Sequence, residues 1–448
     1  MKYFVLLLSL LPLTFQYNFL VFCPLFGHSH TTFFAKIADT LTDAGHNVTF
    51  FTPTITRRYE TINYVKSTKH VIHLDATLLD YLEIKTILSA TSITFDEMVL
   101  NSIGEPIMSS VVPGSMSPFT DKMSLIERII NTITQPLMLA FLPKRQFKSL
   151  RFPHSTISIS SMESMSSFVF TNSNPYIDYA RPTLEKNVQI GGISVDVEKL
   201  KSQKVNEEWD KIMNMRPKTV LISFGSIMLS KDMPFENNAM EMFPDVTFIW
   251  KYESNDTDSF AKGIENIHFS KWIPQTALLA DTRLSAFFTH AGLGSTNEVS
   301  YLGKPTILCP IFADQMRNAK MLARHNGSIE ISKYDLVDSE KIAGVLRRIL
   351  YDESYSKASE NLALQLANQP VKPKELLIRY AEFAAKFGRL PSLDPHSRHM
   401  SFVSYFLIDV ALVLSSLSLL MLYVFYQFTK RLISRLPFTL SSVKQKSN

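Results

Sequence analysis

Cysteine is almost missing from this chain: Cys23 and Cys309 are the only two in 448 residues. Both stand in apolar, strand-like runs. Two thiols cannot build the disulfide framework of a small secreted domain, and no Cys or His spacing suits a metal site. Charge of one sign is lacking too. Lys and Arg number 46 against 41 Asp and Glu, a net charge of +5. That excess is local, because residues 429–448 hold Lys430, Arg431, Arg435, Lys444 and Lys446 and no acid. The rest is formally neutral, so the electrostatic footprint of a nucleic-acid binder is absent. Low-complexity stretches are absent as well, and an apolar content of 46% excludes disorder as the main state.

What the chain does have is length and two hydrophobic ends. At 448 residues it exceeds one ordinary domain and predicts two, each with its own core. Met1-Lys2 and the apolar run 3–13 have the short charged start and apolar centre of a secretory signal peptide, assigned to residues 1–16. That run is too short to span a bilayer comfortably. A transmembrane helix is predicted over 402–428, which is apolar apart from Asp409 and scattered hydroxyls. The 19 residues of 410–428, at about 1.5 Å each, nearly match a hydrocarbon core of about 30 Å and leave Asp409 at the interface. A core helix is seldom apolar all round for such a length. The basic stretch 429–448 predicts a cytosolic tail, and hence a single-pass type I protein with its bulk in the lumen. The ending Lys444-Gln-Lys446-Ser-Asn448 is similar to the Lys-x-Lys-x-x retrieval signal of endoplasmic reticulum membrane proteins. Acceptor sequons at Asn47, Asn255 and Asn326 are compatible with that compartment.

Between the ends, strand and helix patterns alternate. Residues 18–25 read as a buried strand, 31–44 as a helix, and 47–52, after the Gly45-His46 turn, as a second strand. Residues 168–171 and 188–190 read as later strands of the same half. Together they predict a doubly wound, Rossmann-like α/β domain over 17–200. The polar stretch 198–210 has the composition of a linker. Five further strands, at 219–223, 246–250, 267–269, 284–289 and 306–312, are spaced widely enough for crossover helices. They predict a second Rossmann-like domain over 205–390, which ends in a helix at 374–387.

The tract from Trp272 to Gln315 gathers polar groups at the ends of such strands. It contains Trp272-Ile-Pro-Gln275, then His290-Ala-Gly-Leu-Gly-Ser-Thr-Asn-Glu298, and, after a second apolar run, Ala313-Asp314-Gln315. The physical reading is strand, glycine turn, helix, strand, with its polar groups where open α/β sheets bind ligands. Gly292 and Gly294 allow a tight turn, and the helix that follows offers unpaired N–H groups suited to a phosphate. This tract resembles the signature of the UDP-glycosyltransferase family, the membrane-bound animal enzymes that include the glucuronosyltransferases. The ordered matches are Trp-x-x-Gln, Thr-His-x-Gly, a Glu eight residues after that His, and Asp-Gln beyond. Similarity extends to Phe224-Gly225-Ser226, to Phe168-Val-Phe-Thr-Asn-Ser-Asn174 and to Phe26-Gly27-His28-Ser29-His30, and so covers nearly the whole chain.

The resemblance implies the GT-B architecture, in which two Rossmann-like domains face a cleft, acceptor on the first and UDP-sugar on the second. It implies that the segment before the membrane span folds back on the first domain. The implied reaction is an inverting transfer of glucuronic acid or glucose, from UDP-glucuronate or UDP-glucose, to the hydroxyl of a small lipophilic acceptor, with no metal or further cofactor. His30, expected in the loop before the first helix, matches the family's catalytic base, with His28 its rival. Histidine suits that task because its pKa lies near working pH. By the same resemblance His290, Ser226 and the helix starting near Ser295 supply positive potential to the diphosphate. Trp272 offers a face to the uracil and Gln275 an amide to its edge. Glu298 meets the ribose, while Asp314 and Gln315 meet the sugar hydroxyls. Ser295-Thr-Asn-Glu298 also reads as a capping box, and Asp314 in isolation as a strand-end turn.

One stretch departs from the family. Its first domain normally holds several more strands and helices before the part matched here by 79–91. In this chain roughly 25 residues intervene, enough for one further βα unit. The shortened part ordinarily carries the acidic residue that orients the base, and Asp75, after Val71-Ile-His-Leu74, is the candidate at hand. A second reading therefore stands beside the enzyme: an inactive, donor-binding chain that associates with intact relatives in the membrane, as a homo- or hetero-oligomer. A single-pass receptor ectodomain leaves the ordered set from Trp272 to Gln315 unexplained.

Overall fold

The structure, a computed structural model, describes residues 16–23, 27–52, 62–72, 86–146, 165–202, 204–225, 230, 233, 238–254 and 263–435. The first lobe opens with β1 (Asn18–Phe22), α1 (His28–Asp43), β2 (Asn47–Phe51) and β3 (His70–Ile72), whose strands form a parallel sheet in the order β1-β2-β3. A second parallel sheet, β4-β5-β6, uses β4 (Leu88–Thr91), β5 (Phe168–Thr171) and β6 (Asn187–Gln189). Between β4 and β5 run α2 (Glu97–Ser102) and α3 (Leu125–Gln146). All four residues of β5 are buried, the pattern of a parallel strand covered on both faces. Val21 and Phe50 share one core with Phe168, Phe170 and Val188. Among the described residues the six strands of this lobe form two three-stranded parallel sheets that contribute to one core, with β4 paired to β5. Asp39 ties the approach to β3 onto α1, accepting from the N–H groups of Lys66, Ser67 and Thr68 at 2.8, 2.9 and 3.0 Å.

The stretch expected as a linker folds instead into α4 (Val197–Ser202) and α5 (Glu207–Met213). Asn206 caps α5 by accepting from the Trp209 N–H at 3.1 Å, and Trp209 and Met213, one turn apart, enter the core of the second lobe. The polar composition is only the solvent face of these two helices.

The second lobe contains β7 (Lys218–Ser223), α6 (Asn238–Glu241), β8 (Val246–Lys251), β9 (Ile267–Ser270), α7 (Gln275–Ala280) and β10 (Leu284–Thr289), then α8 (Leu293–Leu302), β11 (Thr306–Leu308), α9 (Gln315–Ala323) and β12 (Ser328–Glu330). Its sheet is parallel throughout, in the order β12-β11-β10-β7-β8-β9. The five expected strands are present. β11 stops at Leu308 instead of Phe312, close to Pro310, which has no N–H to donate. β12 escaped the sequence reading, because three residues are too few to show a period. Chain order reverses between β7 and β10, which makes their carboxyl ends the topological switch point.

Helices α10 (Ser339–Tyr351) and α11 (Glu353–Ala367) flank this lobe, capped by Asp338 and Asp352. Helix α12 (Pro373–Phe387) then crosses back. Its Leu377, Ala381 and Ala384 are buried in the core of the first lobe, as the resemblance implied. Gly388, at φ 75°, ends the helix, and its carbonyl accepts from the Ser167 hydroxyl at 2.9 Å. The lobes also meet through α8, where the Tyr301 hydroxyl donates to the Gly191 carbonyl at 3.1 Å. A Cβ on Gly192 would stand 2.2 Å from the Tyr301 ring. Cys23 and Cys309 are both buried thiols, and burial pushes each up to about 12.

Residues from Asp394 onward form a separate unit. It contains α13 (Phe402–Tyr405), a break at Leu407 with φ 55°, and α14 (Ile408–Arg435) of 28 residues. Within Ile408–Ser434 an 18-residue window has a mean hydropathy of 2.2 and no buried part, so the helix is long and apolar enough to cross a membrane. The helix continues beyond the expected end at 428 and carries Lys430, Arg431 and Arg435 on its last turns.

Leu377 is fully buried. Leu377→Ala should destabilise the first lobe by about 2–5 kcal/mol, the usual cost of such a cavity. The thermal midpoint of the full chain checks this against an exposed control, Lys386→Ala. Equal midpoints in the two variants would show that α12 does not belong to this core.

Candidate active site

At the switch point, the loops leaving β7 and β10 enclose one imidazole. After β10 the chain runs through His290, Ala291 at φ 63° and Gly292, the N-cap of α8. After β7 it turns at Gly225, φ 86°. A Cβ on Gly225 would lie 2.6 Å from the His290 ring, and one on Gly292 would lie 2.6 Å from its Nε2. Glycine is thus required on both sides of the ring by contact, and at Gly225 by backbone angle as well. Helix α8 begins at Leu293, two residues before the expected Ser295, and Gly292 gives it no side-chain cap. The first-turn N–H groups are therefore left for a ligand. The capping-box alternative fails, because Ser295 lies inside the helix.

Charge at this point differs from the expectation. Burial, assisted by the nearby Lys251 ammonium and opposed by the Ser223 backbone, lowers His290 to about 4. The ring is neutral at working pH and offers a hydrogen bond, not a cation. The positive group here is Lys251, at the carboxyl end of β8. Its Nζ donates to the Gly225 carbonyl and stands 3.4 Å from Glu253 Oε1. Sequence reasoning missed it, although a lysine ending an otherwise apolar parallel strand was a usable signal.

Beside the cradle, the Gln275 amide donates to Glu298 Oε2 at 2.7 Å and to the Ser295 hydroxyl at 3.2 Å. The Thr276 hydroxyl donates to Glu298 Oε1 at 3.0 Å. Burial raises the Glu298 carboxyl, and these two donors partly offset it. Trp272 projects at the rim with 76% of its surface exposed, so an indole face is open. Ser226 lies outside the described residues. Past β11, Ala313 takes φ 56°, a left-handed angle that is strained for a residue with a Cβ and typical of functional turns. Asp314 accepts from the Asn318 amide at 2.9 Å. The Gln315 amide oxygen accepts from the N–H groups of Ile311 and Phe312 at 2.9 and 3.2 Å. Only its NH₂ end is uncommitted to the turn.

His30 comes from the opposite lobe. It sits in the first turn of α1, which starts at His28 behind the N-cap Gly27, and not in the preceding loop. The Thr31 and Thr32 hydroxyls bond back to the carbonyls of Gly27 and His28, and so tighten this turn. His30 Nδ1 is bonded to the hydroxyl of Ser92, just past β4. Burial lowers the His30 pKa, and the Asp314 carboxylate of the second lobe pulls the other way. His30 and Asp314, from opposite lobes, are therefore close enough to influence each other's charge across the cleft. The rival His28 contacts the Tyr64 hydroxyl at 3.3 Å. Asp75 lies outside the described residues, and Ser92 is a His30 partner that the sequence reading did not name.

The neutral state of His290 has a consequence for stability. Its folded value near 4 lies below an ordinary value of about 6.5, so the unfolded chain binds the proton first as pH falls. The stabilisation is complete above about 6.5 and is lost toward 4, up to about 3 kcal/mol. Denaturant midpoints between pH 7 and 5 should fall more steeply in the wild type than in His290→Gln. Parallel slopes would rule out a buried neutral ring.

Comparison with known proteins places this geometry. Residues 31–442 match the sequence profile of the family described as UDP-glucoronosyl and UDP-glucosyl transferase. The chain is 28% identical over 371 residues to the putative UDP-glucuronosyltransferase ugt-48 of Caenorhabditis elegans, covering 80% of this chain and 69% of that one. It is 24% identical over 498 residues to ugt-50 of the same animal, covering 92% and 94%. That alignment is longer than the 448 residues here, so the relative holds residues without a counterpart in this chain. Human UDP-glucuronosyltransferase 1A3 is 26% identical over 346 residues, 75% of this chain and 62% of its own. Among solved structures, the glycotransferase of kitacinnamycin superposes with a TM-score of 0.56 at 14% identity, covering 85% of this chain and 100% of that one. At that identity the likeness speaks for the fold, which is GT-B. With a profile match that runs through both lobes, the chain belongs to the UDP-glucuronosyl and UDP-glucosyl transferase family.

Proposed function

We propose that this protein transfers glucuronic acid or glucose from its UDP-sugar to the hydroxyl of a small lipophilic acceptor, with inversion. The observation that carries this reading is the approach of His30 and Asp314 from opposite lobes, beside the glycine-lined cradle of His290. In the tautomer that carries the proton on Nδ1, the atom bonded to the Ser92 hydroxyl, Nε2 is the basic nitrogen that takes the acceptor proton. Burial keeps that ring neutral before reaction, as a base must be. The acceptor oxygen attacks the anomeric carbon as the bond to the diphosphate oxygen breaks on the opposite face. The departing charge meets the His290 N–H, the first turn of α8 and the Lys251 ammonium, fixed groups that need little reorganisation. Once protonated, His30 faces the Asp314 carboxylate. The uracil stacks on Trp272, the Gln275 amide bonds its edge, and Glu298 exchanges a present donor for the ribose hydroxyls. Asp314 and the Gln315 amide hold the sugar. The reading calls on no metal.

His30→Ala should lower transfer by about 10²–10⁴, the usual worth of a positioned base, with UDP affinity within about twofold of wild type. Near-parental turnover would move the base to His28. UDP binding without turnover across phenolic acceptors, with UDP-glucuronate and UDP-glucose both tried, would replace the enzyme by a donor-binding partner of other family members.

The same proposal includes the endoplasmic reticulum membrane, with residues 1–16 as a signal, α14 as the span and both lobes in the lumen. Exposed side chains at Asn47 and Asn326 leave two sequons open to glycosylation, which supports this orientation. Protease added to sealed microsomes should remove only the tail after α14. Digestion of the lobes in intact vesicles would refute the topology.

A further inference from the structure

Arg317 belongs to α9, two residues beyond Gln315, yet it bonds mainly across the cleft. Its guanidinium has no exposed surface. It donates to Asp178 Oδ1 at 2.7 Å, to the Thr94 hydroxyl at 2.8 Å and to the Pro113 carbonyl at 3.3 Å, all in the first lobe. It also lies over the rings of Phe95 and Tyr179, at 5.4 and 5.1 Å. Asp178 is itself held, its Oδ2 accepting from Arg181 at 2.7 Å and from the Ser173 hydroxyl at 2.8 Å. Burial alone would push this carboxyl up, but Arg317 and Arg181 outweigh it and hold it below the usual carboxylate range.

The other end of α9 is tied to the same first-lobe segment. Arg324 donates to the Ile177 carbonyl at 3.3 Å and to that of Asp178, and His325 Nε2 meets the Ile177 carbonyl at 3.0 Å. A helix of nine residues pinned at both ends cannot turn independently of the lobe that pins it. Thr94 lies two residues from Ser92, the partner of His30. One short loop therefore holds both the base and, through Arg317, the helix that Asp314 and Gln315 begin. Desolvation consumes most of the attraction in a buried ion pair. A planar fork with several fixed acceptors nonetheless sets an orientation that a point charge does not.

We propose that Arg317 is a positioning residue for the transfer reaction: it registers Asp314 and Gln315, and with them the donor sugar, against His30 of the opposite lobe. This rests on the transferase reading above. The bonds of Arg317 go to Pro113, Thr94 and Asp178 and not to His290, Gln275 or Glu298. Helix α9 meets the His290 loop through the Asn318 amide, which donates to the Ala291 carbonyl at 3.3 Å. The nucleotide half is therefore expected to respond less than the sugar half. A residue serving only to keep the chain folded would instead affect all functions together.

The test uses the full chain in detergent and two variants, Arg317→Lys, which keeps the charge and loses the fork, and Thr94→Val, which removes one acceptor. Transfer kinetics, UDP calorimetry and hydrogen–deuterium exchange are measured on each. Arg317→Lys should lower kcat at least tenfold with UDP affinity within twofold, and exchange should rise together at 92–96 and 313–318. Thr94→Val should move the same quantities less far. Unchanged kcat, or a parallel fall in kcat, UDP affinity and thermal midpoint, overturns the proposal. If Arg317→Lys does not fold, Thr94→Val decides by the same criteria. If the wild type turns nothing over, that failure counts against the transferase reading alone. The coupled rise in exchange across the lobes, or its absence, then decides the role of Arg317.

Discussion

The second lobe of this protein depends on the parallel pairing of β7 with β10. Its register sets Thr289 opposite Ser223 at the carboxyl ends of two buried strands. Both neighbours in space are distant in sequence, and each strand carries its next connection away in a different direction, so a crevice is left between the departing loops. Gly225 and His290 enter that crevice from either side. A slip by one residue would turn Phe287 and Phe288, both buried, toward the wrong faces of the sheet. The apolar core thereby enforces the position of a polar ring that contributes nothing to the core itself.

Burial determines the chemistry available at that crevice. It removes the charge from His290 and lowers His30, which leaves two neutral imidazoles on opposite lobes at working pH. One is suited to donate a hydrogen bond and the other to accept a proton. Positive potential comes instead from Lys251, whose stem ends β8 and whose ammonium is fixed on a backbone carbonyl, and from the uncapped start of α8. A lysine resists burial less than two charged histidines in one cleft would, because only one ion is then desolvated.

The lobes are joined by more than the chain that links them. Helix α12 follows the second lobe in sequence but fills the core of the first. Helices α8 and α9 reach across through Tyr301 and Arg317. These contacts combine apolar packing with directional polar bonds. The first holds the lobes together, and the second sets their angle, because a hydrogen bond weakens steeply when misaligned.

Much of this was legible in the sequence. Long apolar strands at 219–223, 246–250 and 284–289 announced the second sheet, since buried parallel strands are apolar on both faces. The ordered residues from Trp272 to Glu298 are close in space because strand, turn and helix are local devices with short-range rules. The sequence alone was equally sufficient for the apolar helix at the carboxyl end, where length and hydropathy are the whole argument. What it did not contain was anything that depends on distance through space. The neutrality of His290, the Ser92 bond to His30, the cation at Lys251 and the reach of Arg317 into Asp178 join residues from separate elements. A pKa is set by whatever surrounds the group once the chain has closed around it, and a buried ion pair exists only when both partners have been brought to one place. Residue types and local turns were thus determined by the sequence, whereas charge states and the alignment of one lobe on the other were decided by tertiary packing.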